Sequence, residues 1–390
     1  MLKILTFSTL FPNAAQPSHG VFVENRLRHL IVNGAVEATV IAPVPWFPSA
    51  AGAFGKYADY AKAPRFEERH GITVHHPRYP VLPKIGINLA PLLLYLAAKP
   101  FIAGLLRDGL QFDLIDAHYF YPDGVAAAML AKALDKPLTI TARGTDLNLL
   151  PQFAIPRRQI VWAAERAQGL ITVCQALKDE LVALGTAPDK VRVLRNGVDL
   201  EMFRPIAREA ARERLGLTGR TLLSVGHLIE RKGHHLVIAA MTRLPDTTLL
   251  IAGDGEERAN LERQAAEAGV SDRVRFLGRV DHDALREVYG AADALVLASS
   301  REGWANVLLE AMACGTPVVA TNVWGTPEIV AESAAGVLMA ARTPEALADA
   351  VESLFASLPE RDATRAYAEQ FSWDATTRGQ EELFGTLVRA

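Results

Sequence analysis

Residues 294–321 read ALVLASSREGWANVLLEAMACGTPVVAT. An apolar run, ALVLAS (294–299), leads through a polar turn with Gly303 into a helical stretch. A second apolar run, PVVAT (317–321), follows. Both runs are continuously apolar, not alternating, which is how strands buried on both faces read. A helix joining two such strands implies parallel order, the unit of an α/β sheet.

Working outward, the same pattern recurs on both sides. Upstream lie KILTFST (3–9), ATVIA (38–42), ITVHH (72–76), DLIDA (113–117), LTIT (138–141), LITV (170–173) and VRVL (191–194). TLLSVG (221–226), TLLIAG (248–253), VRFLG (274–278) and GVLM (336–339) complete a second set. Two sets predict an α/β chain of two doubly wound, Rossmann-like domains facing across a cleft. The seam falls in RNGVDLEMFRP (195–205), where Asn-Gly marks a turn and Pro205 stops what precedes it. The expected division is 1–200 and 201–371, with an amphipathic C-terminal helix (372–390) packing back on the first domain. Trp373, Leu383 and Phe384 are its docking residues.

Length supports two domains, since 390 residues exceed one ordinary core. Half of the residues are hydrophobic and 22% are charged, the make-up of a well-buried globular chain. A net charge of -3 gives no electrostatic reason to expect a nucleic-acid partner. Cys174 and Cys314 are distant and form no CxxC pair, so a reducing, cytoplasmic setting is expected. MLKILTFST reads as a first buried strand. Residues 85–106 (IGINLAPLLLYLAAKPFIAGLL) carry one charge, Lys99, and two prolines, Pro91 and Pro100. They predict one or two helices that pack on a sheet or touch a membrane surface peripherally.

Ligands of open α/β sheets bind outside the carboxyl ends of the strands, so the loops there are the candidates. The first holds a single glycine, Gly20, and no G-x-G-x-x-G, which argues against a dinucleotide oxidoreductase. Gly20 either admits a phosphate or sugar to a helix N-terminus or is a turn glycine. His118 follows DLIDA, and Arg143, Gly144 and Asp146 follow LTIT. Asp146 is either a ligand contact or a helix cap. In the second domain Arg231, Lys232 and Gly233 sit at a strand-to-helix turn, where two cations and a helix N-terminus suit a diphosphate. Glu302 and Glu310 lie eight residues apart. Carboxylates accept hydroxyl pairs, so a ribose and a hexose on either side of a pyrophosphate are natural partners. Glu310 has apolar neighbours and needs a partner. Gly303 leaves the backbone N–H groups of Trp304 and Ala305 able to face a phosphate or sugar. The pairs His75-His76 and His234-His235 diverge on any regular element, and Asp283 is expected to cap a helix, so no metal and no cofactor is expected.

With these residues in view, the chain resembles family 4 of the glycosyltransferases, retaining enzymes with the GT-B fold. EGWANVLLEAMACGTPVVAT (302–321) is similar to the family's E-x7-E stretch; VGHLIERKG (225–233), IAGDGEERANLE (251–262), RNGVDLEMF (195–203) and FSWD (371–374) match in order. SHGVFVENRLRHL (18–30) and VGHLIERKGH (225–234) are most similar to transferases of teichuronic-acid and exopolysaccharide assembly. The resemblance implies a nucleotide-sugar donor, UDP first and GDP second. It also implies a carbohydrate or lipid-linked saccharide acceptor. By the same resemblance Lys232 binds the diphosphate, Glu310 the ribose hydroxyls, and Glu302 the donor sugar, with N–H groups from Gly303 to Asn306 helping. His118 reaches the transferred sugar, Gly20 borders diphosphate and acceptor, and the loop at Arg279 and Val280 meets the base. Two departures stand out. His227 replaces a common arginine, for which Arg231 is the candidate substitute, and Arg143-Gly144 replaces a common His-Gly pair, which points to an anionic sugar. A sugar-nucleotide epimerase, a NAD-dependent oxidoreductase and a non-catalytic partner in a polysaccharide complex are the alternatives.

Overall fold

The computed structural model describes residues 1–82 and 86–389. The chain forms two compact units, Met1–Arg195 with Asp374–Ala390, and Asn196–Trp373.

The first unit contains β1 (Leu2–Phe7), β2 (Val36–Ile41), β3 (Val44–Pro45), β4 (Phe66–Arg69), β5 (Ile72–His75), β6 (Arg78–Tyr79), β7 (Leu114–His118), β8 (Leu138–Ala142), β9 (Gly169–Thr172) and β10 (Val191–Val193). Its main sheet runs β10-β9-β8-β7-β1-β2-β5-β4, parallel except for the last pair. β7 and β8 are buried on both faces, which explains their unbroken apolar character. The apolar pattern missed β4, whose residues FEER are polar because an antiparallel edge strand faces water. It also missed β3 and β6, which form a two-stranded sheet. The C-terminal helix, Asp374–Arg389, belongs to this unit. Leu383 and Phe384 join Val23, Leu27 and Leu30 in one core cluster. Burying two such side chains contributes roughly 3–6 kcal/mol. Trp373 falls in the second unit, where its backbone lies against Gly197.

The second unit contains β11 (Arg220–Val225), β12 (Thr247–Ala252), β13 (Val274–Gly278), β14 (Ala294–Leu297), β15 (Val318–Thr321) and β16 (Gly336–Met339). The order is β13-β12-β11-β14-β15-β16, entirely parallel. In this sheet the winding reverses between β11 and β14; in the first it reverses between β1 and β7. Loops at such reversals splay apart, leaving a crevice at the carboxyl edge. The loops singled out by sequence include all four that follow these strands. Two local expectations are corrected. The helix His282–Ala291 begins two residues earlier than expected, so Asp281 rather than Asp283 occupies its N-cap position. The apolar segment forms one helix, Gly86–Arg107, with both prolines inside it; Ile85 lies outside the described residues.

Candidate active site

In the second unit, β11 runs into a loop that ends in the short turn Glu230–Lys232. Gly233 follows with φ 77, and a Cβ there would lie 2.1 Å from the Ala298 carbonyl oxygen. Only glycine permits both the left-handed backbone and this approach, which presses the Lys232 turn against the end of β14. Ser300 N–H donates to the Arg231 carbonyl at 2.9 Å, and the Arg231 guanidinium donates to the Arg301 carbonyl at 2.9 Å. The two loops are thereby stitched together. Lys232 Nζ then donates to Glu302 Oε1 at 2.7 Å, with Arg231 Nη1 3.5 Å from the same oxygen. Burial alone would raise the Glu302 carboxyl; the Lys232 and Arg231 cations outweigh it and hold it below its ordinary value. Two cations on one carboxylate leave the cluster with one net positive charge. His227 is exposed on the same loop.

Beyond Glu302 the chain is fixed from behind. The Trp304 indole N–H donates to the Asn196 carbonyl at 3.0 Å, and Asn196 Nδ2 donates to Asn306 Oδ1 at 3.3 Å. Gly303, Trp304 and Ala305 are buried, and Ala305 is the N-cap of the helix Asn306–Ala313. That helix carries Glu310, whose Oε2 accepts from the Tyr289 hydroxyl at 2.8 Å. Tyr289 is the partner that Glu310 needed. Val280, two residues after β13, is half-buried.

In the first unit, Gly20 is the N-cap of the helix Val21–Ile31, with φ 70. A Cβ there would lie 2.3 Å from the Leu10 carbonyl, so packing within its own loop already requires glycine. His118 ends β7 and is buried. Arg143 Nη2 donates to its Nδ1 at 2.5 Å, and Asp116 Oδ2 lies 3.0 Å from Nε2. A guanidinium can only donate, so Nδ1 accepts and the ring proton sits on Nε2, towards Asp116. Burial pushes the imidazole down to about 4, opposed by the Asp116 charge and aided by Arg143. His118 is therefore a neutral imidazole. Burial likewise lowers Arg143 to about 10. Asp146 is fully buried and accepts from the backbone N–H groups of Phe120 (2.7 Å), Gly144 (2.7 Å) and Arg143 (3.1 Å). It ties the loops after β7 and β8 together, which is more than the helix cap read from sequence.

Several participants escaped the sequence reading. Asp116 lies two residues before His118, on the same side of a period-two strand. Arg26 falls at the i+3 position from Val23, with Leu27 and Leu30 completing a buried stripe. It donates to Gln380 Oε1 at 2.8 Å and to the Leu194 carbonyl at 2.9 Å. Tyr289 sits among Leu285, Val288 and Ala292 on a helical face. In each case a polar residue inside an apolar period was the signal. Asp123, whose Oδ2 accepts from Thr9 Oγ1 at 2.9 Å and Thr9 N–H at 3.1 Å, carried none. The paired histidines hold structure: His76 contacts Glu67 and the Ala42 carbonyl, and His234 contacts Ser224. Among the described residues no group of three or more His, Cys, Asp or Glu side chains is disposed to hold a metal ion.

Residues 21–202 match the family Glycosyltransferase Family 4, and residues 207–371 match Glycosyl transferases group 1. A D-inositol 3-phosphate glycosyltransferase of Mycolicibacterium gilvum (strain PYR-GCK) is 34% identical over 314 residues, covering 74% of this chain and 70% of that protein. The chain belongs to glycosyltransferase family 4. A second relative, which carries the name teichuronic acid biosynthesis glycosyltransferase TuaC in Bacillus subtilis (strain 168), is 29% identical across 90% of this chain and 88% of its own. Among solved structures, sucrose-phosphate synthase from Thermosynechococcus elongatus superposes with a TM-score of 0.82 at 21% identity, over 100% of both chains. Anabaena HepE in complex with UDP-glucose gives 0.74 at 22%, over 99% of this chain and 100% of that one. At such identities the likeness carries the fold alone, and that fold is GT-B. This family 4 glycosyltransferase is thus an enzyme built on two Rossmann-like units, as its sequence resemblance implied.

Proposed function

We propose that the enzyme moves a glycosyl unit from a nucleotide diphosphate sugar to an acceptor hydroxyl, with retained configuration. The observation that carries the reading is the net-positive Arg231–Lys232–Glu302 cluster beside the start of the helix Asn306–Ala313. On this reading the second unit binds the donor. Lys232 and Arg231 meet the diphosphate, with His227 at the edge of the same loop. Glu302 and the N–H groups from Gly303 through Trp304 and Ala305 to Asn306 meet the sugar. Glu310, held by Tyr289, takes the ribose hydroxyls, and the backbone at Val280 meets the base. The HepE structures contain UDP and UDP-glucose, which favours UDP here, with GDP second.

The first unit serves the acceptor and the transferred sugar through Gly20, His118 and Arg143, the last suited to an anionic group. Asp146 acts there by holding the loop. The acceptor is a carbohydrate or a lipid-linked saccharide of polysaccharide or glycolipid assembly, met in the cytoplasm at the inner face of a membrane. In transfer, the bond from the anomeric carbon to the phosphate oxygen breaks while the acceptor oxygen bonds to that carbon. The acceptor proton passes to the departing phosphate. Negative charge grows on that phosphate, so fixed cations stabilise the transition state more than the ground state. No metal or cofactor takes part.

Thermal unfolding with UDP, GDP, ADP or NAD, each with EDTA, tests the donor site beside Glu310→Ala. A ligand at about 100 times its dissociation constant stabilises the fold by about 2.7 kcal/mol. The expected result is a shift with one nucleoside diphosphate, indifferent to EDTA and lost in the variant. A shift with NAD alone would overturn the reading.

A further inference from the structure

The helix Gly86–Arg107 presents an unusual outer face. Leu94, Ala98 and Ile102 are buried on one stripe. Leu89, Leu92 and Leu96 form another at i, i+3 and i+7, and are 41%, 41% and 56% exposed. A helix on a solvated surface places polar residues there. The same stripe continues into Lys99 and then Arg107, and the helix has no acidic residue. By length and composition it could cross a bilayer, but its inner stripe is packed into the unit. Gln159 donates to the Asn88 carbonyl at 3.3 Å, which ties the first turn to the helix Ala154–Arg166. At the entrance to that second helix Phe153 and Ile155 are also about half exposed. Beside them Arg157 and Arg158 line a depression of ≈ 500 Å³ together with Pro151 and Val161.

Charge decides what covers this face. Within the helix, residues 86–107, and again from 149 to 164, the sequence contains arginine or lysine but no aspartate or glutamate. A symmetric dimer would set the same patch against itself and bring these cations together. An anionic bilayer meets both features at once: leucines enter the acyl boundary while guanidinium groups pair with phosphates. We propose that this face docks on an anionic membrane, with Arg157 and Arg158 taking the phosphodiester of a lipid headgroup. The proposal deepens the membrane-side acceptor reading above and rests on it for its place in the reaction.

Co-sedimentation of the full chain, without donor or acceptor, tests it. The vesicles are phosphatidylcholine alone or equal parts phosphatidylcholine and phosphatidylglycerol. Binding is expected only to the anionic vesicles. Arg157→Glu with Arg158→Glu should weaken it by at least about thirtyfold, on the basis of about fivefold per surface cation. Leu92→Glu with Leu96→Glu should weaken it by at least about a hundredfold, since each buried leucine is worth roughly tenfold or more. Inorganic phosphate at constant ionic strength should not displace the protein. Both variants should keep the nucleotide-induced thermal shift of the parent, so the donor reading and the docking proposal fail separately. The proposal is overturned by equal binding to both vesicle types, by no binding, or by variants that bind like the parent. Full displacement by inorganic phosphate would make this an anion site without a bilayer. A concentration-dependent dimer abolished by the leucine variants would make it a self-association face.

Discussion

Glu302 lies five residues beyond β14 and Asp146 four beyond β8, so each carboxylate stands just past the end of a buried parallel strand. Their partners differ. Glu302 is met by two long side chains, Lys232 and Arg231, whose side chains are 16% and 27% exposed. Asp146 is met by three backbone N–H groups and is closed off from water. Side-chain cations swing to an incoming anion at the cost of a rotamer. Backbone donors cannot leave without refolding the loop. Burial of a carboxylate therefore does not by itself mark a ligand site; the mobility of what neutralises it is the better guide. By that measure the second unit's cluster is the stronger candidate for contact with a ligand, and the first unit's carboxylate for holding a loop in place.

The largest effect should come from Asp146→Ala. It strands the N–H groups of Phe120, Arg143 and Gly144 in a buried loop, and each buried donor left unsatisfied costs about 1–3 kcal/mol. Denaturant unfolding should show this loss of stability. A loss below about 1 kcal/mol would mean that the loop does not depend on its carboxylate, and the contrast with Glu302 would fail. Lys232→Ala should show itself first in activity. Turnover should drop about a hundredfold, equivalent to ~2.7 kcal/mol of transition-state stabilisation, with a smaller loss of denaturant stability than Asp146→Ala, because Arg231 stays 3.5 Å from the Glu302 carboxylate. Unchanged turnover with a nucleotide-sugar donor would remove Lys232 from the chemistry.

The same contrast explains what could be read from sequence. All thirteen apolar runs became strands, because a strand buried on both faces has little freedom in composition. Edge strand β4 was missed because FEER obeys no such constraint. For the candidate site, Lys232 and Glu302 could be singled out because they lie in loops just past strand ends, and Glu310 because it is a carboxylate in an apolar helix. Their partners were harder to see. Tyr289 meets Glu310 from a helix twenty-one residues away, and Asp116 meets His118 from within an apolar strand. The Tyr289 contact forms only once the two helices pack, whereas Asp116 is a local neighbour of His118 hidden by the apolar residues of its own strand. Gly20 shows the reverse problem. Its place in the loop suits a ligand, but the nearby Leu10 carbonyl requires glycine regardless.

Asp123 offers the most discriminating test, because it shares the closed setting of Asp146 without the same compensation. Its Oδ2 takes both donors of Thr9, while Oδ1 is buried with no partner among the described residues. Burial pushes its carboxyl up to about 8, against the pull of the Thr9 hydrogen bonds, and the Asp146 charge adds to the rise. The folded chain therefore keeps a proton that the unfolded chain loses near pH 4. This group's contribution to stability is complete below about pH 4, shrinks as pH rises, and is gone above about pH 8. Asparagine keeps an oxygen for Thr9 and never ionises, so Asp123→Asn should remove the slope. Unfolding free energies of parent and variant, compared from about pH 5 to about pH 9, should show the variant gaining on the parent by about 1.4 kcal/mol per pH unit until about pH 8. Parallel curves would mean that Asp123 ionises as easily in the fold as outside it. The loop after β7 would then tolerate charge, and its carboxylates would have to be regrouped with Glu302 as candidates for contact with a ligand.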